Sequence, residues 1–405
     1  MKWFGLKGAA ASSRPVLSRG YGRGGAAWMG GAALGEWPAA YEPQARAALL
    51  GNAVAQRAVR LVSEAAGSAA IRAGGAAAAD NARAREMVRH VSGGQGLVET
   101  LALHLLLHGN GYVQILCDES GQPVELFALR PERVAVDVDA RGWPVGYSYR
   151  VGERTQRLVA EDGAGRTAIL HLKAVNPLDD HYGLGCLGAA SGPVAIHNAA
   201  TQWNKALLDN AARPSGALVY APGDGASLSA EQFARLKAEM EAAFQGAANA
   251  GRPMLLEGGL SWQSLSLSPS EMDFVALKEG AAREIALAFG VPPLLLGLPG
   301  DNTYANYREA NRALWRQTVL PLLEKILGGV AQGLRGWMPG LELAVDFDRV
   351  PDMAEERDAQ WARIGGADFL TAEEKRALLG LASGPEAAGA AGPAGVGDDG
   401  AGGVA

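Results

Sequence analysis

The sequence predicts an α+β chain of more than one domain. Three observations carry this. Helical-period apolar stripes alternate with short hairpin-like runs in the first half. Two capped helices bracket a small strand-containing insertion in the second half. The length, 405 residues, exceeds what a single hydrophobic core usually serves.

Taken in order, residues 1 to about 40 are Gly, Ala, Ser and Arg with little apolar area to offset ordering entropy, and they read as a flexible arm rather than an export signal. Residues 45–66 place Leu49, Ala53, Val54, Ala58, Leu61 and Val62 on one helical face, and 96–108 repeat the pattern with Leu97, Leu101 and Leu105. Strands at 112–116 and 124–129 flank Asp118-Glu119-Ser120-Gly121 as a hairpin, and further strands follow at 134–138, 147–151 and 167–172. A helix at 189–212 ends before Pro214, and 216–220 reads as a strand.

Ser229-Ala230-Glu231-Gln232 is a capping box that opens a helix burying Phe233, Leu236 and Met240 and stopping at Gly246. Short strands at 253–256 and 260–267 lead to Ser268-Pro269-Ser270-Glu271, a second box with proline at the first helical position. That helix carries Phe274, Leu277, Ala281, Ile285 and Ala288 and ends at a left-handed Gly290 before Pro292-Pro293. The segment 291–302 is rich in Pro, Leu and Gly and reads as a non-helical apolar loop. A long helix at 303–334 carries Tyr307, Ala310, Leu314, Leu322, Ile326 and Val330, with a kink near Gln317 because Pro321 removes a donor. A strand at 341–347 and a short helix capped by Thr371-Ala372-Glu373-Glu374 and ending at Gly380 complete the chain, and 384–405 read as a disordered tail.

Charge excludes one class of function. With 37 Lys+Arg against 43 Asp+Glu, the formal charge of -6 is wrong for a protein that coats nucleic acid, whose affinity grows with each phosphate neutralised. Two cysteines, Cys117 and Cys186, lack disulfide or zinc spacing and point to synthesis in a reducing compartment. No apolar run reaches the length of a membrane span. Arg outnumbers Lys 29 to 8, the bias of a GC-rich genome.

Four motifs could carry chemistry, and each has a plainer reading. Gly183-Leu184-Gly185-Cys186-Leu187-Gly188 matches the dinucleotide pattern, with Asp209 at the ribose distance, but ten residues separate it from the preceding strand and Asp209 falls within a helix. His104 and His108 lie one turn apart without the Glu of a metalloprotease helix and read as packed histidines. Asp179-Asp180-His181 reads as a polar turn. Leu294, Leu295, Leu296 and Leu298 either project from their loop or pack as core. No nucleophile elbow or phosphate-binding P-loop is present, so the sequence gives no sign of an enzyme and calls for no cofactor or metal.

Five segments together resemble the portal proteins of tailed bacteriophages, of the type found in siphophages, prophages and gene transfer agents. They are HGNGYVQI (108–115), ILHLKAVNPLDDHYGLG (169–185), NAGRPMLLEGGLSWQSLSLSPSEMDF (249–274), IALAFGVPPLLLGLPGDNTYANYREA (285–310) and ADFLTAEEKRALLGL (367–381). The resemblance spans roughly 45–382. It implies a wing at 45–188, stem helices at 189–213 and 268–290, a clip at 214–267 and a tunnel loop at 291–303. A long wing helix with a returning strand would follow at 304–350 and a short crown at 351–383.

The implied function is a ring, usually of twelve subunits, at one capsid vertex of a virion or phage-like particle, through which double-stranded DNA enters and leaves. The implied partners are further copies of the chain, that DNA, the terminase large subunit, the major capsid protein and a head-tail adaptor, with no membrane. The tunnel loop would offer Leu294, Leu295, Leu296, Leu298, Asp301, Asn302 and Thr303 to the channel as a flexible collar. The clip helix would offer Arg235, Lys237, Glu239 and Glu241 to the motor or adaptor. The compact length and GC-rich bias favour a gene transfer agent. Another head-tail connector ring is the nearest alternative, though connector rings are shorter. A nucleotide-dependent enzyme built on Gly183 to Gly188 is the alternative from a different class.

Overall fold

A computed structural model describes residues 15–17, 40–209, 216–220, 229–244, 260–264, 273–299, 303–350 and 353–379. These fall into two compact units, the first ending at Asp346 and the second beginning at Phe347. The arm other than 15–17 and the tail lie outside the described residues, as do the strand expected at 253–256, the Ser268–Glu271 box, and Gly246 and Gly380.

The first unit opens with α1 (Tyr41–Leu49) and α2 (Ala53–Ser68). The sequence stripe suggests one helix here, and the structure divides it. The Asn52 side chain accepts a bond from the Ala55 amide as an N-cap, which starts a new helix where the other could have continued. Then come β1 (Ile71–Gly74), α3 (Ala78–Arg89), the small β2 (Val91–Ser92) and β3 (Gln95–Gly96) pair, and α4 (Leu97–His108). Left-handed Gly109 (φ 80°) closes α4 by donating its amide to the His104 and Leu105 carbonyls.

The sheets follow in sequence. β4 (Asn110–Cys117) lies between β5 (Pro123–Leu129) and β9 (Ile169–Lys173), antiparallel to both, with Tyr112 opposite Leu129 and His171. β6 (Val134–Val138), β7 (Pro144–Val151) and β8 (Arg154–Val159) form a second antiparallel meander. Tyr112, Leu129, Val134, Tyr147, Leu158 and Ile169 pack together between the two sheets. β8 has a mostly exposed pattern, so it offers no apolar alternation to a sequence reading.

After α5 (Cys186–Asp209) come β10 (Gly216–Tyr220), α6 (Ala230–Phe244) and β11 (Leu260–Ser264). The two strands pair antiparallel, Gly216 opposite Ser264. Within the described residues α7 runs from Phe274 to Ala288, and Asp273 caps it by accepting the Ala276 amide.

α8 (Tyr304–Leu314) and α9 (Leu320–Leu334) are joined by a π-helical turn at Trp315–Val319. The turn falls on Gln317, where the sequence predicts a kink. Within the turn Trp315 and Val319 are buried beside Leu314 and Leu320, and the buried stripe continues through Leu323, Ile326, Leu327, Val330 and Leu334. A uniform helical period picks Leu322, which is half-buried, instead of Leu323, and picks Tyr307, which is exposed. α9 packs against α2 and α4, in which Val59, Val62, Leu101 and Leu105 are buried, and each fully buried Leu or Ile contributes roughly 1.5–3 kcal/mol. β12 (Glu342–Val345) returns to pair antiparallel with β1, Ile71 opposite Val345.

In the second unit, α10 (Ala354–Gly365) and α11 (Ala372–Leu378) are held by Arg357. Its guanidinium bonds the Asp348 carboxylate, Gln360 Oε1 and the Leu379 carbonyl. α11 carries the predicted capping box: Glu374 donates its amide to Thr371 Oγ1 (3.2 Å), and the Glu374 carboxylate accepts the Thr371 amide (2.9 Å). Hydrogen bonding from Thr371 holds the Glu374 carboxyl below its usual pKa.

Candidate functional site

The helices expected to form a stem, α5 and α7, pack against each other. Trp203, late in α5, stacks on Phe274 at the start of α7 with ring centroids 6.2 Å apart. Burial lowers the His197 pKa and the charge of nearby Lys278 lowers it further. Both pairings run late-to-early, so the helices are antiparallel. The buried residues of the two helices include small and branched ones, Ala190, Val194 and Ala200 on α5 and Ala281, Ala282, Ile285 and Ala286 on α7. Midway along α5, Asn52 donates to His197 Nδ1 (3.2 Å) and Asn198 Oδ1 (2.9 Å), and Asn198 donates to the Ala47 carbonyl (3.1 Å). The hairpin is thereby bolted to the α1–α2 corner.

The loop after α7 is more ordered than its sequence suggests. Gly290 is left-handed (φ 66°), as expected, and its carbonyl accepts the Thr318 hydroxyl (2.6 Å), which ties it to the π turn. Residues Pro293–Leu296 then form one 3₁₀ turn in the segment read as non-helical, because Pro292 and Pro293 preset φ for it. The turn faces Leu295 inward, leaving it 8% exposed. Leu295 is therefore a core residue, and the proposed collar loses it. Leu294, Leu296 and Leu298 are half-buried, and Arg283 bonds the Pro299 carbonyl. Asp301 and Asn302 lie outside the described residues. Thr303 is exposed and caps α8 by accepting the Asn306 amide (3.2 Å).

In the segment expected as a clip, the Ser229 box forms as read: Ser229 donates its amide to Gln232 Oε1 (2.9 Å), and Gln232 donates its amide to Ser229 Oγ (3.2 Å). Arg235 and Lys237 are exposed, and Glu239 and Glu241 lie on the same helix. Phe233 is 60% exposed instead of buried, and Leu236 is half-buried. Among the described residues the expected clip consists of one helix and a two-stranded antiparallel ribbon.

The Gly183 loop is a packing device. A Cβ on Gly183 would lie 2.0 Å from the Gly109 carbonyl oxygen and 2.6 Å from the Ala174 nitrogen, and one on Gly185 would lie 2.3 Å from the Leu107 carbonyl oxygen. Backbone fills the space that a pyrophosphate would need. Asp179 Oδ1 accepts the amides of His181 (2.7 Å) and Tyr182 (3.0 Å), which makes this segment a polar turn.

Sequence reasoning missed Asn110, which is 1% exposed at the centre of this region. It donates to His108 Nδ1 (3.1 Å) and the Gly183 carbonyl (3.2 Å), and accepts the Gly183 amide (2.7 Å) and His171 Nε2 (3.0 Å). The only sequence signal is a polar residue directly after a glycine cap and before a strand. Tyr41 meets His108 edge-on at 4.8 Å, and His171 stacks on Tyr112 at 4.2 Å. Burial lowers the His104 and His108 pKa values to about 4 and that of His171 to about 3, with His108 and Arg130 adding to the first and Lys173, His108 and His181 to the last. All three are thus neutral at physiological pH. Among the described residues no cluster of three His, Cys, Asp or Glu side chains could hold a metal, and no helix is long and apolar enough to cross a membrane.

Comparison with known proteins agrees with this architecture. An uncharacterized protein of Rickettsia felis is 44% identical over 281 residues, covering 68% of this chain and 71% of that protein. A chain in the neck of a native gene transfer agent (GTA) particle, computed with C12 symmetry, is 48% identical and superposes with a TM-score of 0.64 over 88% of this chain and 98% of that one. A phage portal protein of the HK97 family from Corynebacterium diphtheriae shares the fold at 17% identity, with a TM-score of 0.55 over 78% of this chain and 100% of that one. The model of the family described as phage portal protein matches residues 53–380, and the chain belongs to that family.

Proposed function

We propose that twelve copies of the chain form a ring in the neck of a GTA-type particle, with the α5–α7 stems around an axial channel for double-stranded DNA. The observation that carries this is the 48% identity, over 88% of the chain, to a component of a GTA neck computed with C12 symmetry. Heterologous contacts repeated head to tail close such a ring. Charge supports a conduit. DNA must slide, and every fixed cationic contact with phosphate adds affinity that slows it, so a chain of net charge -6 suits passage better than grip. The exposed part of α7 sets Arg283 beside Glu284 and presents no cationic stripe.

Within the loop, Leu294, Leu296 and Leu298 are the side chains left to face the DNA, with Leu295 as their anchor. The experiment is the triple substitution Leu294→Ser, Leu296→Ser, Leu298→Ser in producing cells. Rings should assemble normally while DNA protected inside particles falls several-fold. Wild-type DNA content in the triple variant would remove the loop from the mechanism.

The clip would dock the terminase large subunit during packaging and the head-tail adaptor afterwards, and the wing would seat against the major capsid protein. Arg235 and Lys237 are the proposed contact charges. Reversing both to Glu should weaken terminase binding by about tenfold at low salt and less at high salt, since exposed charges act mainly on encounter. Equal affinity of wild-type and variant rings in a binding titration would exclude this face.

A further inference from the structure

We infer that the turn Asp139–Trp143 is a docking site for the chain's own N-terminal arm, with Pro15-Val16-Leu17 as the bound segment. The turn is prebuilt. The Asp139 side chain accepts the amides of Arg141 (2.8 Å) and Trp143 (2.9 Å), and the backbone closes with Gly142 N to Asp139 O (3.0 Å) and Asp139 N to Trp143 O (2.8 Å). Those bonds leave the Arg141 carbonyl and the Trp143 indole N–H directed at the arm. The indole donates to the Pro15 carbonyl (2.7 Å), and the Leu17 amide donates to the Arg141 carbonyl (2.9 Å).

The segment matches this pair of groups. In an extended chain the carbonyl of one residue and the amide two residues on point to the same side, so Pro15 and Leu17 present one acceptor and one donor to the turn while Val16, 76% exposed, points away. Pro15 has no amide of its own to satisfy, and its ring fixes φ at a value that extended chain accepts. Two hydrogen bonds make a weak site for a free peptide. Twenty-two residues separate Leu17 from Ala40, and a tether of that length holds the segment at an effective concentration on the order of millimolar, which favours the chain's own arm over a free peptide. The site thereby ties Pro15-Val16-Leu17 to the turn between β6 and β7.

The test is hydrogen exchange at the Leu17 amide in the full-length protein, with Trp143→Phe to remove the indole donor and keep the ring. In the wild type this amide should exchange at least tenfold more slowly than an unstructured amide, and Trp143→Phe should remove most of that protection. Wild-type exchange at the unstructured rate, or equal protection in the variant, would overturn the inference. Leu17→Pro, which deletes the other donor without touching the turn, should speed tryptic cleavage after Arg19 several-fold, and an unchanged rate would count equally against it. Protection of the Leu17 amide should be independent of protein concentration and of assembly. Protection that appears only on assembly would overturn the assignment to the chain's own arm in favour of exchange between neighbours.

Discussion

Gly183→Ala should destabilise the first unit by more than about 4 kcal/mol, a size of effect that single substitutions reach only through severe strain or loss of a core contact. The new methyl would sit 2.0 Å from one backbone atom and 2.6 Å from another, and neither can turn aside as a side chain could. The loop would have to lift from the end of α4, breaking both bonds between Gly183 and the Asn110 amide group. Nucleotide chemistry plays no part in this requirement. Gly163→Ala is the control, because nothing lies within 4 Å of the place its methyl would occupy and φ there is outside the left-handed region, so it should change stability by less than about 0.5 kcal/mol. Urea unfolding of both variants checks this. A Gly183→Ala protein within about 1 kcal/mol of wild type would mean that the close approach is not required.

Lowering the pH from 7.5 to 5 should cost roughly 2 kcal/mol for each of His104, His108 and His171, less whatever their mutual coupling removes. The sign follows from proton binding. Their folded pKa values lie at about 4, 4 and 3, below the 6.5 of an unfolded imidazole, so the unfolded chain takes up protons first. Their stabilisation is complete above 6.5 and declines as pH falls toward the folded values. The geometry gives the same sign, since a proton on His108 Nδ1 would displace the bond it accepts from Asn110. Thermal unfolding between pH 7.5 and 5 should show a steep fall that His171→Gln makes shallower. A flat profile over that interval would contradict the buried, neutral network.

Much of the fold is legible in the sequence because its signals are local. The Ser229 and Thr371 boxes, the Asp118–Gly121 hairpin and the Gly290 stop each depend on a few adjacent residues, and each forms as read. The misreadings have a common physical source, which is that a neighbour decides between near-equal local options. Asn52 caps a new helix where the stripe could have run on, a π turn interrupts the long helix, and two prolines make a 3₁₀ turn of an apparent loop. α3 and β8 bury little and carry no clear period. For the candidate site, the glycines at 183 and 185 are visible as a motif, but their purpose is not, because the Gly109 backbone that they meet is more than seventy residues away. Leu295 cannot be told from its neighbours until the turn gives it a direction.

The central claim is that copies of this chain close into a ring around a channel, and the mass and image of the purified protein test it most directly. Native mass spectrometry with negative-stain microscopy should find a single assembly of twelve copies, matching the C12 symmetry of the related neck, with an axial hole wide enough for a DNA duplex. A monomer or dimer that persists at high protein concentration, both with and without salt, would contradict it.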